Sequence, residues 1–229
     1  MRRFYLILMV VMFACLGCEW HLRPSDNHDG DKVSIARYDR IELLYLTTAD
    51  FAVLQQMKIE YPVQTRTLIE DVLKLGSVDT LDINTKFLVF FQDSTLQMLL
   101  SEVERQYADV SDLEQQLTKA FARLVEMDPE LEVPVVYAQV GSLDQSIVAG
   151  NGMLGISLDK YLGSDYPLYQ RYGYTERQRQ VMTRENIVPD CLRFYLLSVY
   201  AKHQLPDASP DERDQLMGHI KEMVNEAMR

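Results

Sequence analysis

Two aspartates six residues apart, Asp159 and Asp165, stand in the stretch GMLGISLDKYLGSDYPLY, residues 152–169. A pair of carboxyl groups can divide general acid and general base work at a glycosidic or peptide bond. A hydrolase using Asp159 or Asp165 is therefore one reading of the segment. Turn chemistry supplies the other. An aspartate ahead of Lys160-Tyr161-Leu162 can cap a short turn that Gly163 closes, and Asp165 can shape the turn before Pro167. Tyr161, Tyr166, Tyr169, Tyr172 and Tyr174 cluster in the same region. Their rings either offer a contact surface for a peptide or glycan or pack over a long loop.

Other chemistries lack their parts. Gly150, Gly152 and Gly155 fit the spacing of a dinucleotide fingerprint. That fingerprint needs a helix after the glycines to receive the pyrophosphate, whereas Ile156-Ser157-Leu158 reads as a strand. Of the four histidines, His21 and His28 precede the folded part, and neither His203 nor His219 has a second histidine or cysteine one helical turn away. No H-E-x-x-H places two imidazoles on one helical face, so neither a metal nor a cofactor is expected. A nucleophile elbow around serine is missing, and Cys191 among Leu192, Phe194 and Leu196 reads as inert packing. The formal charge of −11 argues against nucleic acid and anionic headgroups as partners. Arg171, Arg177, Arg179 and Arg184 read as a solvated helical face.

The elements that would position these residues follow from periodicity. Alternating Ile41, Leu43 and Tyr45 predict a strand over 37–46. Residues 49–58 and 65–75 read as helices broken at Tyr61-Pro62, with Gly76 ending the second. Phe87–Phe91 is apolar throughout and fits a buried strand or a buried helix, with helix the preferred reading. Leu96, Leu99, Leu100 and Val103 follow helical spacing behind Asp93. Ser111 and Glu114 form a capping box ahead of Leu113, Leu117, Phe121 and Leu124. Val133–Val140 reads as a strand. Gly150-Asn151-Gly152 reads as the turn of a hairpin between 147–149 and 154–158. Asp190–Lys202 is a helix, and Ser209-Pro210-Asp211-Glu212 opens the last one with an N-cap, a first-turn proline and a capping box. The sum is an α+β fold, mainly helical with one small antiparallel sheet.

The N-terminus sets the compartment. Arg2 and Arg3 precede an apolar run from Phe4 to Leu16, too short to span a bilayer in comfort and suited to a secretory signal. The run ends in Ala14-Cys15-Leu16-Gly17-Cys18, a small residue before a cysteine, as in a bacterial lipobox. Residues 1–17 are expected to be removed, Cys18 to carry the lipid, 18–33 to form a polar tether and 34–229 to fold as one domain. With Cys18 acylated, Cys191 is left without a disulfide partner, so the hydrophobic core must hold the domain.

Tyr38-Asp39-Arg40, Tyr61-Pro62 and above all Leu154-Gly155-Ile156-Ser157-Leu158-Asp159-Lys160-Tyr161-Leu162-Gly163 resemble the gliding-motility lipoprotein GldB family of Bacteroidetes. Asn186-Ile187-Val188-Pro189-Asp190 is similar to a later segment of that family. The resemblance runs from about Ser34 to the C-terminus, although family members generally continue beyond the point matched by Arg229. It implies a lipid-anchored envelope protein, on the outer membrane facing the periplasm, with a motility role in gliding species and no known reaction. The family's element order is in turn similar to that of zincin-type metalloproteases. On that analogy the Asp190–Lys202 helix takes the zinc-helix position without a histidine pair, giving a degenerate zincin-like scaffold without its metal. Taken together, the sequence points to a non-enzymatic envelope lipoprotein. It is held to the membrane through Cys18, contacts another envelope protein and has Asp159, Tyr161, Gly163 and Asp165 as motif or interaction residues. An envelope hydrolase is the alternative.

Overall fold

The computed structural model of the protein describes residues 32–204 and 208–229, so the expected signal, Cys18 and most of the expected tether lie outside the described residues. In chain order the elements are β1 (Ile35–Ala36), α1 (Tyr38–Thr48), α2 (Phe51–Glu60), α3 (Pro62–Arg66, continuing as a π-helical turn Thr67–Val72), α4 (Ile83–Phe90), α5 (Ser94–Gln106) and α6 (Ser111–Met127). Then follow β2 (Val135–Gln139), β3 (Ile147–Gly150), β4 (Met153–Ser157), a 3-10 turn (Leu158–Tyr161), α7 (Pro167–Arg171), α8 (Glu176–Arg179), a 3-10 turn (Arg184–Asn186), α9 (Ile187–Gln204) and α10 (Pro210–Ala227). The protein is mainly helical with one four-stranded sheet.

The sheet is mixed rather than antiparallel. Its order is β1-β2-β4-β3, with β1·β2 and β2·β4 parallel and only β3·β4 antiparallel. The hairpin forms where Asn-Gly places it: Asn151 (φ 52°) and Gly152 (φ 71°) both take the left-handed conformation that a tight two-residue turn requires. The sequence leaves undetermined which hairpin strand docks on β2. It is β4, whose Leu154 and Ile156 pair with Val136 and Ala138 to form one fully buried aliphatic face.

Residues 38–48 form a helix, not the expected strand. The buried positions are Tyr38, Asp39, Glu42, Tyr45 and Leu46, a helical stripe, while Leu44 is 47% exposed. Two acidic residues on the buried side disguise the helical period, and the accidental alternation of Ile41, Leu43 and Tyr45 mimics a strand. The capping box expected at Ser111 is likewise different. Val110 is the N-cap without a side-chain bond, and the Glu114 carboxylate instead accepts the Ile35 N–H of β1 at 2.8 Å. The left-handed residue that ends α3 is Lys74 (φ 55°), with Gly76 two residues later. Asp93 caps α5, and the Ser209–Glu212 box opens α10. Val33, the last residue of the expected tether, is already buried and donates its N–H to Thr118 Oγ1 at 2.9 Å.

α1 lies on the sheet face that carries Tyr137, whose ring centroid is 6.3 Å from that of Tyr38. α9 packs along β3 and β4, and α10 covers α6 and α9. Phe121 of α6 meets Tyr195 of α9 edge to face at 5.3 Å. The segment from β4 into the 3-10 turn is thus enclosed by helices.

Candidate functional site

The ten residues Leu154–Gly163 run up β4 and through the 3-10 turn, and each has a definable partner. Leu154, Ile156 and Leu158 enter the core. Gly155 pairs with Tyr137 in register, and a Cβ on it would lie 2.5 Å from Tyr137 Cζ and Oη. Ser157 Oγ accepts from Gln139 Nε2 at 3.2 Å, in a spot where a Cβ on Gly141 would sit 2.7 Å away.

Asp159 is fully buried. Its oxygens accept the Gly141 N–H at 2.8 Å and the Leu143 N–H at 2.6 Å. The capping role expected from sequence is therefore corrected. Ser157 is the N-cap of the 3-10 turn, no side chain caps it, and the Asp159 carboxylate reaches back to the β2–β3 loop. That loop is strained, because Ser142 (φ 55°) and Leu143 (φ 63°) are consecutive non-glycine residues in the left-handed region. Each such residue costs on the order of 1–3 kcal/mol and persists where its surroundings over-determine it. Amide bonds to a charged acceptor contribute about 1.5–3 kcal/mol each, enough to offset the strain. Lys160 Nζ and Tyr174 Oη add donors to the Leu143 carbonyl at 3.2 and 2.6 Å. The Gly141 and Leu143 amides, on either side of Ser142, converge on the chain's own carboxylate, as turn amides do in anion-binding concavities. Burial raises the Asp159 carboxyl above the usual range, while the Gly141 and Leu143 amides and the Lys160 charge oppose it.

Tyrosine hydroxyls hold the turn itself. Tyr107 Oη donates to the Tyr161 carbonyl at 2.6 Å. Tyr169 Oη receives the Leu162 N–H at 2.8 Å and donates to the Asp159 carbonyl at 2.7 Å. Tyr161 is buried, and its hydroxyl donates to Asp190 Oδ2 at 3.0 Å, while Arg193 holds Asp190 Oδ1 at 3.0 Å. Gly163 (φ 109°) turns the chain and gives its N–H to the Met182 carbonyl at 3.0 Å. Asp165 is exposed in the turn before Pro167. The tyrosine cluster divides: Tyr161 and Tyr169 are buried, Tyr166 and Tyr174 are partly buried against the core, and Tyr172 is exposed.

The two aspartates of the hydrolase reading thus occupy different surroundings, one buried and bonded to main chain, the other on the surface. Asp159 and Tyr161 have no surface to offer a partner. The expected arginine face is also uneven. Arg184 grips Asp112 through two bonds, reaches the Gln106 and Asp109 carbonyls and lies 4.9 Å from the Tyr107 ring centroid. Sequence reasoning missed Tyr107, Tyr137 and Asp190 as partners of the motif, and Glu42 as the partner of Val140, because their proximity arises only from tertiary packing. An acidic residue at helical spacing between Tyr38 and Tyr45 is the signal that could have found Glu42. Cys191 is fully buried, and burial pushes its thiol up. Two surface grooves, of about 540 and 290 Å³, are lined by other residues: one by Arg37, Arg40, Leu43 and Leu100, the other by Glu132, Pro134, Asn151 and Tyr195. Among the described residues no group of three histidine, cysteine, aspartate or glutamate side chains is placed to hold a metal.

No curated protein and no solved structure matches the chain. One family model does, that of the gliding motility protein GldB, and it spans residues 23–225, including the whole of β4, the 3-10 turn and the helices that enclose them. The chain belongs to the GldB gliding-motility protein family.

Proposed function

We propose that the protein is a non-catalytic, lipid-anchored component of the cell envelope that acts in gliding motility by contact with another envelope protein. One observation carries the non-catalytic part. The most polar residues of the Leu154–Gly163 motif are engaged inside the protein: Asp159 with two amides, Lys160 with the Leu143 carbonyl and Tyr161 with Asp190. A catalytic carboxylate must reach the proton it moves, and a buried one with both oxygens bonded to main chain has no such reach. The motif builds a rigid corner, and contact with a partner falls to the surface around it. The apolar leader ending at Cys18 supports anchoring, and outer-membrane attachment facing the periplasm fits an exported, acylated chain. The family supports motility as the setting.

Crosslinking in intact cells tests this reading. The anchored wild-type chain should crosslink to one envelope protein, and Cys18→Ala should lose both lipid labelling and that crosslink. Hydrolysis of an envelope peptide or glycan by the purified domain, abolished by Asp165→Asn or Asp159→Asn with the fold intact, would make it an enzyme instead.

A further inference from the structure

The face between α1 and β2 contains an unusual polar pocket. Tyr38 and Glu42, one turn apart on α1, both face β2: the Tyr38 ring meets that of Tyr137, Glu42 reaches Val140, and Gln139 lies on the same face of the strand as Tyr137. Glu42 Oε2 accepts the Val140 N–H at 2.9 Å, and Gln139 Nε2 donates to Ser157 Oγ. Glu42 and Gln139 are both fully buried. Among the described residues, Glu42 Oε1 and Gln139 Oε1 are left buried without a hydrogen-bond partner. An unpaired buried acceptor costs about 1–3 kcal/mol, more when charged, and two acceptor oxygens cannot satisfy each other without a proton.

Among the described residues no cation compensates. The titratable and charged groups facing Glu42 are Tyr38 and Asp39 from its own helix, Tyr137 from β2 and Asp159 beyond β4. The nearby Arg37 guanidinium is already engaged with Asp39 and the Tyr107 carbonyl. We propose that the pocket is a binding site for one proton: Glu42 is a neutral carboxylic acid in the folded protein, with its Oε1–H directed to the Gln139 carbonyl and its Oε2 accepting from Val140. The proton comes from hydronium or a buffer acid in the solvent as the chain folds: one O–H bond breaks there, one forms on Glu42, and no oxidation state changes. This assignment is independent of whether the protein is an enzyme.

The energetics agree. Burial raises the Glu42 carboxyl well above the usual range, the Val140 N–H opposes the shift, and the Asp159 and Asp39 charges add to it. A folded-state pKa above the unfolded one means that this group's stabilisation is complete below the unfolded pKa and is lost as pH rises towards the folded pKa. In that window one extra bound proton changes the folding equilibrium by about tenfold per pH unit.

Two measurements on the folded domain test the site. In the first, stability is followed by denaturant unfolding from about pH 5 to about pH 8. Wild type should lose about tenfold more per pH unit than Glu42→Gln, which mimics the neutral acid. In the second, the wild-type chain with 13C-labelled glutamate carboxyls is titrated by NMR, which needs no variant and separates Glu42 from Asp159. One glutamate carboxyl should remain protonated at neutral pH while the others titrate near the ordinary value of about 4.3. Equal slopes for wild type and Glu42→Gln, or glutamates that all titrate in the ordinary range, would overturn the proposal. The second result would mean an ionised Glu42 that accepts from a turned-over Gln139 amide.

Discussion

The Tyr137 ring lies over its cross-strand partner Gly155 and fills the space where a side chain would begin, 2.5 Å from the position of a Cβ. Glycine in a strand interior is normally a loss; here it lets an aromatic ring lie flat on the sheet beneath α1. Gly155→Ala should therefore destabilise by overpacking, about 1–3 kcal/mol or more. In a Tyr137→Ala background the same substitution should cost much less. A double-mutant cycle on unfolding midpoints reads this coupling; additive costs would separate the two residues.

Tyr107 Oη is the donor to the Tyr161 carbonyl at the top of the 3-10 turn. Tyr107→Phe keeps the ring and leaves a buried carbonyl unpaired, so it should cost about 1–3 kcal/mol. Tyr161→Phe releases Asp190, which still has Arg193, and should cost less, about 0.5–1.5 kcal/mol. Equal or reversed losses in chemical denaturation would contradict this order.

Cys191 is enclosed and its thiolate disfavoured by burial. Alkylation of the native domain should track global unfolding, rising only with denaturant. Rapid labelling of the native protein would show an opening into the α9 core.

Elements with a strong local signature were legible in the sequence: the Asn151-Gly152 hairpin turn, the Asp93 cap and the Ser209–Glu212 box all formed as their side-chain chemistry dictates. Failures came where a polar residue served a distant partner. Glu42 carries no local sign of burial because its partner, Val140, lies 98 positions away. Glu114 looked like half of a capping box and instead supports β1. Asp159 itself was recognisable as a structural residue, but its target was not, since a cap and a loop clamp read alike along the chain. The mixed sheet could not be read at all, because strand order depends on which face of the hairpin buries the most apolar surface.

The central claim is that Asp159 holds the Gly141–Leu143 loop, and the stability of its variants measures this most directly. Asp159→Ala strips two buried amides of their acceptor and releases a strained loop, so unfolding free energy should fall by about 2–5 kcal/mol. Asp159→Asn keeps one acceptor oxygen and turns an NH2 towards the second amide, so it should also lose stability, with its deficit no larger than that of Ala. Removing a carboxylate kept for chemistry tends to leave stability unchanged or raise it. Wild-type or higher unfolding midpoints for both variants would contradict the account.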